Sequence, residues 1–266
     1  MSEDQIKVQL NPDVVPAGSD LSIVNAARRS FNTRSEWNWS KELESATGDG
    51  RTLKEKDKRL LEFLARGMTA ADFDGFCEDV YYAAGDLNKI IPLLWQWRNT
   101  PTHDTPFNHT FISFEVKAPI FVRAQLVKHE YLIMSEFSRR YITDDIEFYT
   151  PDVWRKAAEN KKQGSSAEGV DLGDLVEEYP IEVGSALDFY EMLLDKGVAP
   201  EQARMVLPQS TMTEWTWSGT LGAFAKMCTL RLHPEAQYEA RLVAQQVYDH
   251  LKEYYPVGAK ALVEGV

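Results

Sequence analysis

Arg140 in "SRRY", Arg204 in "QARMVLP" and Arg231 in "CTLRLHP" each interrupt an otherwise apolar pattern. A guanidinium stays charged and presents forked donors that match a carboxylate or a phosphate. Taken singly, each arginine reads as half of a structural ion pair with Asp or Glu, because an unpaired buried charge costs several kcal/mol. Taken together, the three suit a phosphate, and a planar guanidinium can also hold the polarised carbonyl of a heterocycle. The stretch "KHEYLIMSEFSRRY" (128–141) concentrates Lys128, His129, Arg139 and Arg140 around an apolar run. The whole chain carries a formal net charge of −12. Tight non-specific binding to nucleic acid draws on many lysines and arginines along the phosphates, so this balance points instead to a small anion held locally.

The other candidate groups carry weaker signals. His103, His109, His129 and His233 form no H-x-x-x-H or H-E-x-x-H pair, which leaves no metal motif. Ser135 and Ser138 lack a G-x-S-x-G elbow and read as hydrogen-bonding groups. Neither G-x-G-x-x-G nor G-x-x-x-x-G-K-[ST] occurs, so a Rossmann or P-loop nucleotide site is not expected. Two cysteines, Cys77 and Cys228, are too few for a disulfide framework or a structural zinc, and both are expected to be reduced and buried. Composition is that of a globular protein, with 44% hydrophobic and 26% charged residues. No apolar stretch approaches the roughly 20 residues of a membrane span, and "MSEDQIKVQL" lacks a signal-peptide pattern. The expectation is a cytoplasmic protein with a small-anion pocket and no membrane partner.

These residues must be positioned by an α+β fold, a small and mostly antiparallel sheet flanked by many helices. "TFISFEVKA" (110–118) alternates with period two and predicts a strand, as does "STMTEWTWSG" (210–219), with Trp215 and Trp217 facing the core. "DLSIVNAARRSF" (20–31) predicts a helix capped by Asp20 or Ser22, and "LKEKDKRLLEFLARG" (53–67) an amphipathic helix ended by Gly67. Two further helices are expected over 69–98, where Pro92 kinks or restarts the second. "PIFVRAQLVKHEYLIM" (119–134) reads as a helix with proline in its first turn, and "TPDVWRKAAENKKQ" (150–163) as a capped helix. "GSSAEGVDLG" (164–173) reads as a flexible link, and "LVEEYPIEVGSALDFYEMLLDKGV" (175–198) as one or two helices interrupted at Pro180. The last two helices lie in "GTLGAFAKMCTLRL" and "PEAQYEARLVAQQVYDHLKEYY".

Four separated segments resemble the flavin-dependent thymidylate synthases: "DLSIVNAARRSF", "HDTPFNHTFISFEVKAPIFVRAQLVKH", "SEFSRRY" with "EFYTP", and "ARMVLPQSTMTEWTWSGTLGAFAKMCTLRLHPEAQYEAR". The resemblance spans most of the chain and implies a single domain over 1–266 with a helical insertion at about 69–98. It further implies a homotetramer with shared active sites, FAD as cofactor, NADPH as reductant and methylenetetrahydrofolate as one-carbon donor, turning dUMP into dTMP without an attacking cysteine. Carried over by position, it places Gln125, Glu136, Ser138, Arg139, Arg140, Arg204 and Arg231 on the nucleotide. Arg231 would stabilise charge on the activated ring, and Ser138 would hydrogen-bond the substrate. On the flavin side it implies Ser30, His103, Thr105, Lys128, His129, Ser135 and Glu136.

The flavin side also departs from the family pattern. Lys128-His129-Glu130 stands for R-H-R, Ile133 for a serine and Ser135 for an asparagine. Asn108 takes the place of a frequent glutamate, and Gly222 and Lys226 those of an arginine and an asparagine. A changed flavin shell beside retained nucleotide residues leaves two alternatives open. One is a same-fold enzyme making another 5-substituted pyrimidine, such as hydroxymethyl-dUMP or a dCMP product. The other is a flavin-free nucleotide-binding sensor.

Overall fold

The structure, a computed structural model, describes residues 3–47, 49–138, 140, 143, 145–158 and 164–265. The first half of the chain runs β1 (Lys7–Leu10), α1 (Asp20–Arg28), β2 (Asn38–Trp39), α2 (Lys41–Thr47), β3 (Arg51–Thr52), α3 (Glu55–Arg66), α4 (Ala70–Tyr82), α5 (Leu87–Arg98), β4 (Ile112–Pro119) and α6 (Ile120–Leu126). Then follow β5 (Ile133–Glu136), β6 (Arg155–Ala157), β7 (Ser165–Gly169), α7 (Leu175–Asp195), α8 (Pro200–Ala203), β8 (Met212–Gly219), α9 (Leu221–Arg231), α10 (Tyr238–Tyr254) and α11 (Pro256–Val263). Two compact units result. One comprises the chain up to Asp13, Ser113–Ser218 and Leu230–Val247; the other comprises Val14–Ile112, Gly219–Thr229 and the chain from Tyr248. Among the described residues no helix is long and apolar enough to cross a membrane.

The first unit is built on a four-stranded sheet in the order β1-β4-β8-β5, and both edge strands run antiparallel to their neighbours. Period-two alternation buries Phe114, Val116 and Ala118 on β4, and Trp215 and Trp217 on β8. Ser113 and Ser218, which flank these buried residues along β4 and β8, meet at 2.8 Å. The expected helix 119–134 is shorter than its sequence suggests. α6 stops at Leu126, Tyr131 turns the chain at φ 64°, and Ile133–Glu136 pairs with Ser218–Trp215 instead. Ladder hydrogen bonds on an available sheet edge outweigh the helical preference of "YLIM".

Two more expectations fail in this unit, where two short strands pair with each other as a separate two-stranded sheet. The helix expected at 150–163 is the strand β6, and the link expected at 164–173 contains its partner β7, with Arg155 opposite Gly169 and Ala157 opposite Ser165. Residues 159–163 of that expected helix lie outside the described residues. Tertiary contacts hold the hairpin: the Arg155 guanidinium pairs with the buried carboxylate of Glu239 on α10 and lies 4.5 Å from the Tyr238 ring. Pro180 does not interrupt α7, which runs on through it to Asp195 despite the i→i−4 hydrogen bond that proline removes.

In the second unit α1 is capped by Ser19, whose hydroxyl accepts from the Ser22 N–H, rather than by Asp20 or Ser22. Asp20 is buried and caps another helix: its carboxylate accepts the Val257 and Gly258 N–H groups of α11 at 2.8 and 2.9 Å. Burial pushes its pKa up to about 6 against the pull of those bonds. Leu61, Leu64 and Ala65 bury the inner face of α3, and Gly67 ends the helix at φ 75°. The hairpin α4–α5 is helical as expected, with Pro92 inside a continuous α5. Neither helix contains a buried residue; Phe73, Phe76 and Trp97 make ring contacts within the hairpin at 6.0–6.4 Å. Cys228 is buried, but Cys77 lies on this hairpin and is exposed, contrary to expectation, because α4 packs no face into a core.

Candidate functional site

In the first unit, Glu136, Ser138, Arg140 and Arg204 line one cavity of about 330 Å³, together with Ile120 and Thr213. The sheet explains their convergence. Glu136 lies opposite Trp215 at the end of β5, so Thr213, two residues along β8, comes within reach of the carboxylate and donates to it at 3.0 Å. Arg123 on α6 donates to the other carboxylate oxygen at 2.6 Å. Beyond the strand, Arg140 Nε donates to Ser138 Oγ at 3.2 Å. Burial of Ala203 seats the short helix α8, and Arg204 follows it on the exposed side. Among the described residues no carboxylate pairs with Arg204. Both Arg140 and Arg204 are exposed rather than buried, so they stay hydrated and need no internal counter-charge.

α6 also carries a second group. Arg231, at the end of α9, donates from Nη2 to the Gln125 carbonyl at 3.1 Å and from Nε to His129 Nε2 at 3.0 Å. His129 must therefore be neutral, with its proton on Nδ1. Burial, helped by the Arg231 charge, pulls its pKa down to about 4. Burial likewise lowers Arg231 from its usual value. The Gln125 side chain bonds to Gln237. Lys128 and Glu130 are exposed in the turn between α6 and β5. Ser135 alternates with Glu136 and faces a different cavity, of about 400 Å³, beside Lys117 and Glu214. Arg139 lies outside the described residues.

In the second unit, Ser30, His103 and Thr105 line a single cavity of about 850 Å³ bounded by α1, α3 and the 3-10 turn Thr105–Asn108. The His103 N–H bonds to the Leu64 carbonyl at 2.8 Å, and its ring lies stacked 6.2 Å from Phe63. Ala26, Ala27, Leu60 and Phe63 supply an apolar wall. The departures noted in the sequence are neighbours here: a Cβ on Gly222 would lie 2.6 Å from Asn108 Oδ1, which accepts from Thr220 Oγ1 at 2.7 Å. Lys226 pairs with Asp104 at 3.2 Å. Sequence reasoning missed Arg123, Thr213 and Gln237. The first two stand in the quoted motifs at spacings that pointed elsewhere, and no local pattern ties Gln237 to Gln125.

The family model described as thymidylate synthase complementing protein matches residues 14–257. A flavin-dependent thymidylate synthase of Thermus thermophilus is 40% identical over 162 residues, 61% of this chain and 60% of that protein. The chain belongs to the flavin-dependent thymidylate synthase family. Another relative with that name, from Gluconobacter oxydans, is 36% identical over 169 residues, 61% of this chain and 56% of its own length. Matches to these two curated members of the flavin-dependent thymidylate synthase family thus span 60% or less of their length. Among solved structures, the UMP/dUMP methylase PolB from Streptomyces cacaoi bound with 5-Br UMP is similar at TM-score 0.69 and 25% identity, covering 98% of this chain and 95% of PolB. Its form bound with 5-Br dUMP gives TM-score 0.66 at 24% identity, over 97% and 95%, and shares the fold of this family member.

Proposed function

We propose that the protein is a flavin-dependent thymidylate synthase converting dUMP to dTMP, with methylenetetrahydrofolate as one-carbon donor and NADPH as reductant. The observation that supports this most is the convergence of Glu136, Ser138, Arg140 and Arg204 on one cavity, with Arg204 carrying no acidic partner among the described residues. A volume of about 330 Å³ is at the scale of small-ligand sites. The nucleotides held by PolB support a pyrimidine monophosphate. Arg140 and Arg204 bind the phosphate as forked donors. Ser138 hydrogen-bonds the substrate, and Glu136, fixed by Arg123 and Thr213, orients it. Arg231 stabilises negative charge on the activated pyrimidine, with Gln125 beside it. His129, neutral at working pH, aims this guanidinium without adding a repelling charge. The active site is shared between subunits of a cytoplasmic homotetramer.

The cavity beside Ser30, His103 and Thr105 fits a flavin by the chemistry of its lining: hydroxyl and imidazole groups, cations and an apolar wall in about 850 Å³. Bound there, FAD supplies hydride transfer. Covalent attack by an enzyme thiol is not part of the scheme, because Cys228 is buried with its pKa pushed well above the usual range and the exposed Cys77 lines neither cavity. Purified protein given dUMP, labelled methylenetetrahydrofolate and NADPH should yield labelled dTMP by mass spectrometry. Protein that binds dUMP yet takes up no flavin and makes no product would overturn the enzyme reading in favour of a sensor. The neutral pair Asn108 and Gly222 favours a second reading in which another 5-substituted pyrimidine is made, and UMP and dCMP tested in parallel separate it.

A further inference from the structure

The cavity between α1 and α3 has two chemically different ends. Lys56, Arg59, Leu60, Phe63 and Leu64 all line it, at offsets of three, four, seven and eight residues, so a single stripe of α3 faces inward. At a rise of 1.5 Å per residue, the cationic end at Lys56 lies about 10 Å along the axis from Phe63. Phe63 and the stacked His103 ring mark the apolar end. A ligand that satisfies both ends must join a planar body to an anionic group.

The charges of the lining are not equally available. Arg28 is committed to the buried Asp57 carboxylate at 2.5 Å. Asp104, which would repel an anion, is offset by Lys226 at 3.2 Å. Arg59 has only a contact of 3.7 Å to Glu55, with both side chains about two-thirds exposed, an arrangement worth little in water. Lys56 has no acidic partner among the described residues. Two adjacent cations are thus left to meet an incoming anion. We propose that Lys56 and Arg59 bind the diphosphate of the flavin dinucleotide, an inference that rests on the cofactor reading above. They supply cationic donors to this cavity where the sequence pattern has lost a basic residue at Glu130.

Equilibrium binding of FAD, FMN and riboflavin to the full-length protein, followed by flavin fluorescence, tests this. The double variant Lys56→Met/Arg59→Met should bind FAD about 10- to 30-fold more weakly, the sum of two solvated charge-assisted contacts. FMN should lose less and riboflavin nothing, and the salt dependence of FAD binding should become shallower. The swap Lys56→Arg/Arg59→Lys should stay within about threefold of the parent, because both charges remain. Both side chains are exposed, so an unchanged thermal midpoint should accompany the loss. Parent-like FAD affinity in the double variant overturns this inference alone, as does an equal loss for all three ligands. A parent protein that binds none of the three overturns the cofactor reading and this inference with it.

Discussion

At the scale of single residues, exposure decides what each arginine does. Arg204 sits at a cavity mouth with no internal partner among the described residues, so its removal leaves the packing untouched. Arg204→Ala should keep stability within about 0.5 kcal/mol by urea unfolding. It should weaken dUMP binding about 10- to 100-fold by calorimetry, the worth of a charge-assisted hydrogen bond. Parent-like affinity would remove Arg204 from the nucleotide site. Arg231 is different, since a carbonyl and a neutral imidazole already fix its direction. Arg231→Ala should lower kcat by roughly 10² to 10³ with a smaller change in KM, as expected for a donor that acts as charge develops. Cys228→Ala should leave turnover largely intact, because a fully buried thiol with a raised pKa offers no nucleophile. An inactive, well-folded Cys228→Ala protein would contradict the mechanism.

At the scale of elements, the sheet edge and α6 assemble the cavity of Glu136, Ser138, Arg140 and Arg204, while α3 and its neighbours assemble the second. The hairpin α4–α5 contributes no buried residue, and its ends are close: a Cβ on Gly67 would lie 2.2 Å from Thr100 Cγ2 and 2.5 Å from the Pro101 carbonyl. A short Gly-Ser linker in place of residues 70–98 can therefore bridge α3 to the strand that follows. The thermal midpoint of this deletion should stay within about 4 °C of the parent, equivalent to roughly 1 kcal/mol in a chain of this size. A large drop would show that the hairpin holds its unit together rather than being inserted into it. Period-two runs were legible in advance at β4 and β8, and so was the glycine stop of α3. β5 to β7 were not, because short polar or mixed strands owe their conformation to a partner strand rather than to their own pattern.

At the scale of the whole molecule, two groups make stability depend on pH in opposite senses. His129 falls from an unfolded value near 6.5 to about 4 in the fold, so its contribution is present above 6.5 and is lost as pH drops toward 4. Asp20 rises from 3.8 to about 6, so its contribution is full below 3.8 and is lost as pH climbs through 6. Relative to the parent, His129→Gln should gain stability on going from pH 7 to pH 4.5, and Asp20→Asn should lose it, both read from urea midpoints. A pair of variants that track the parent across this window would show that neither group is shifted.

The residue types of the proposed nucleotide site, the core strands and the family signatures were set by the linear order of side chains, because motif spacing and hydrophobic alternation are local properties that survive without a fold. Only the tertiary structure decided that Asp20 caps a helix through an N–H 237 residues further on, that Glu136 is held between Arg123 and Thr213, and that Asn108 and Gly222 changed side by side. Those relations join groups far apart along the chain, and their energies depend on distance and burial, which no local pattern encodes.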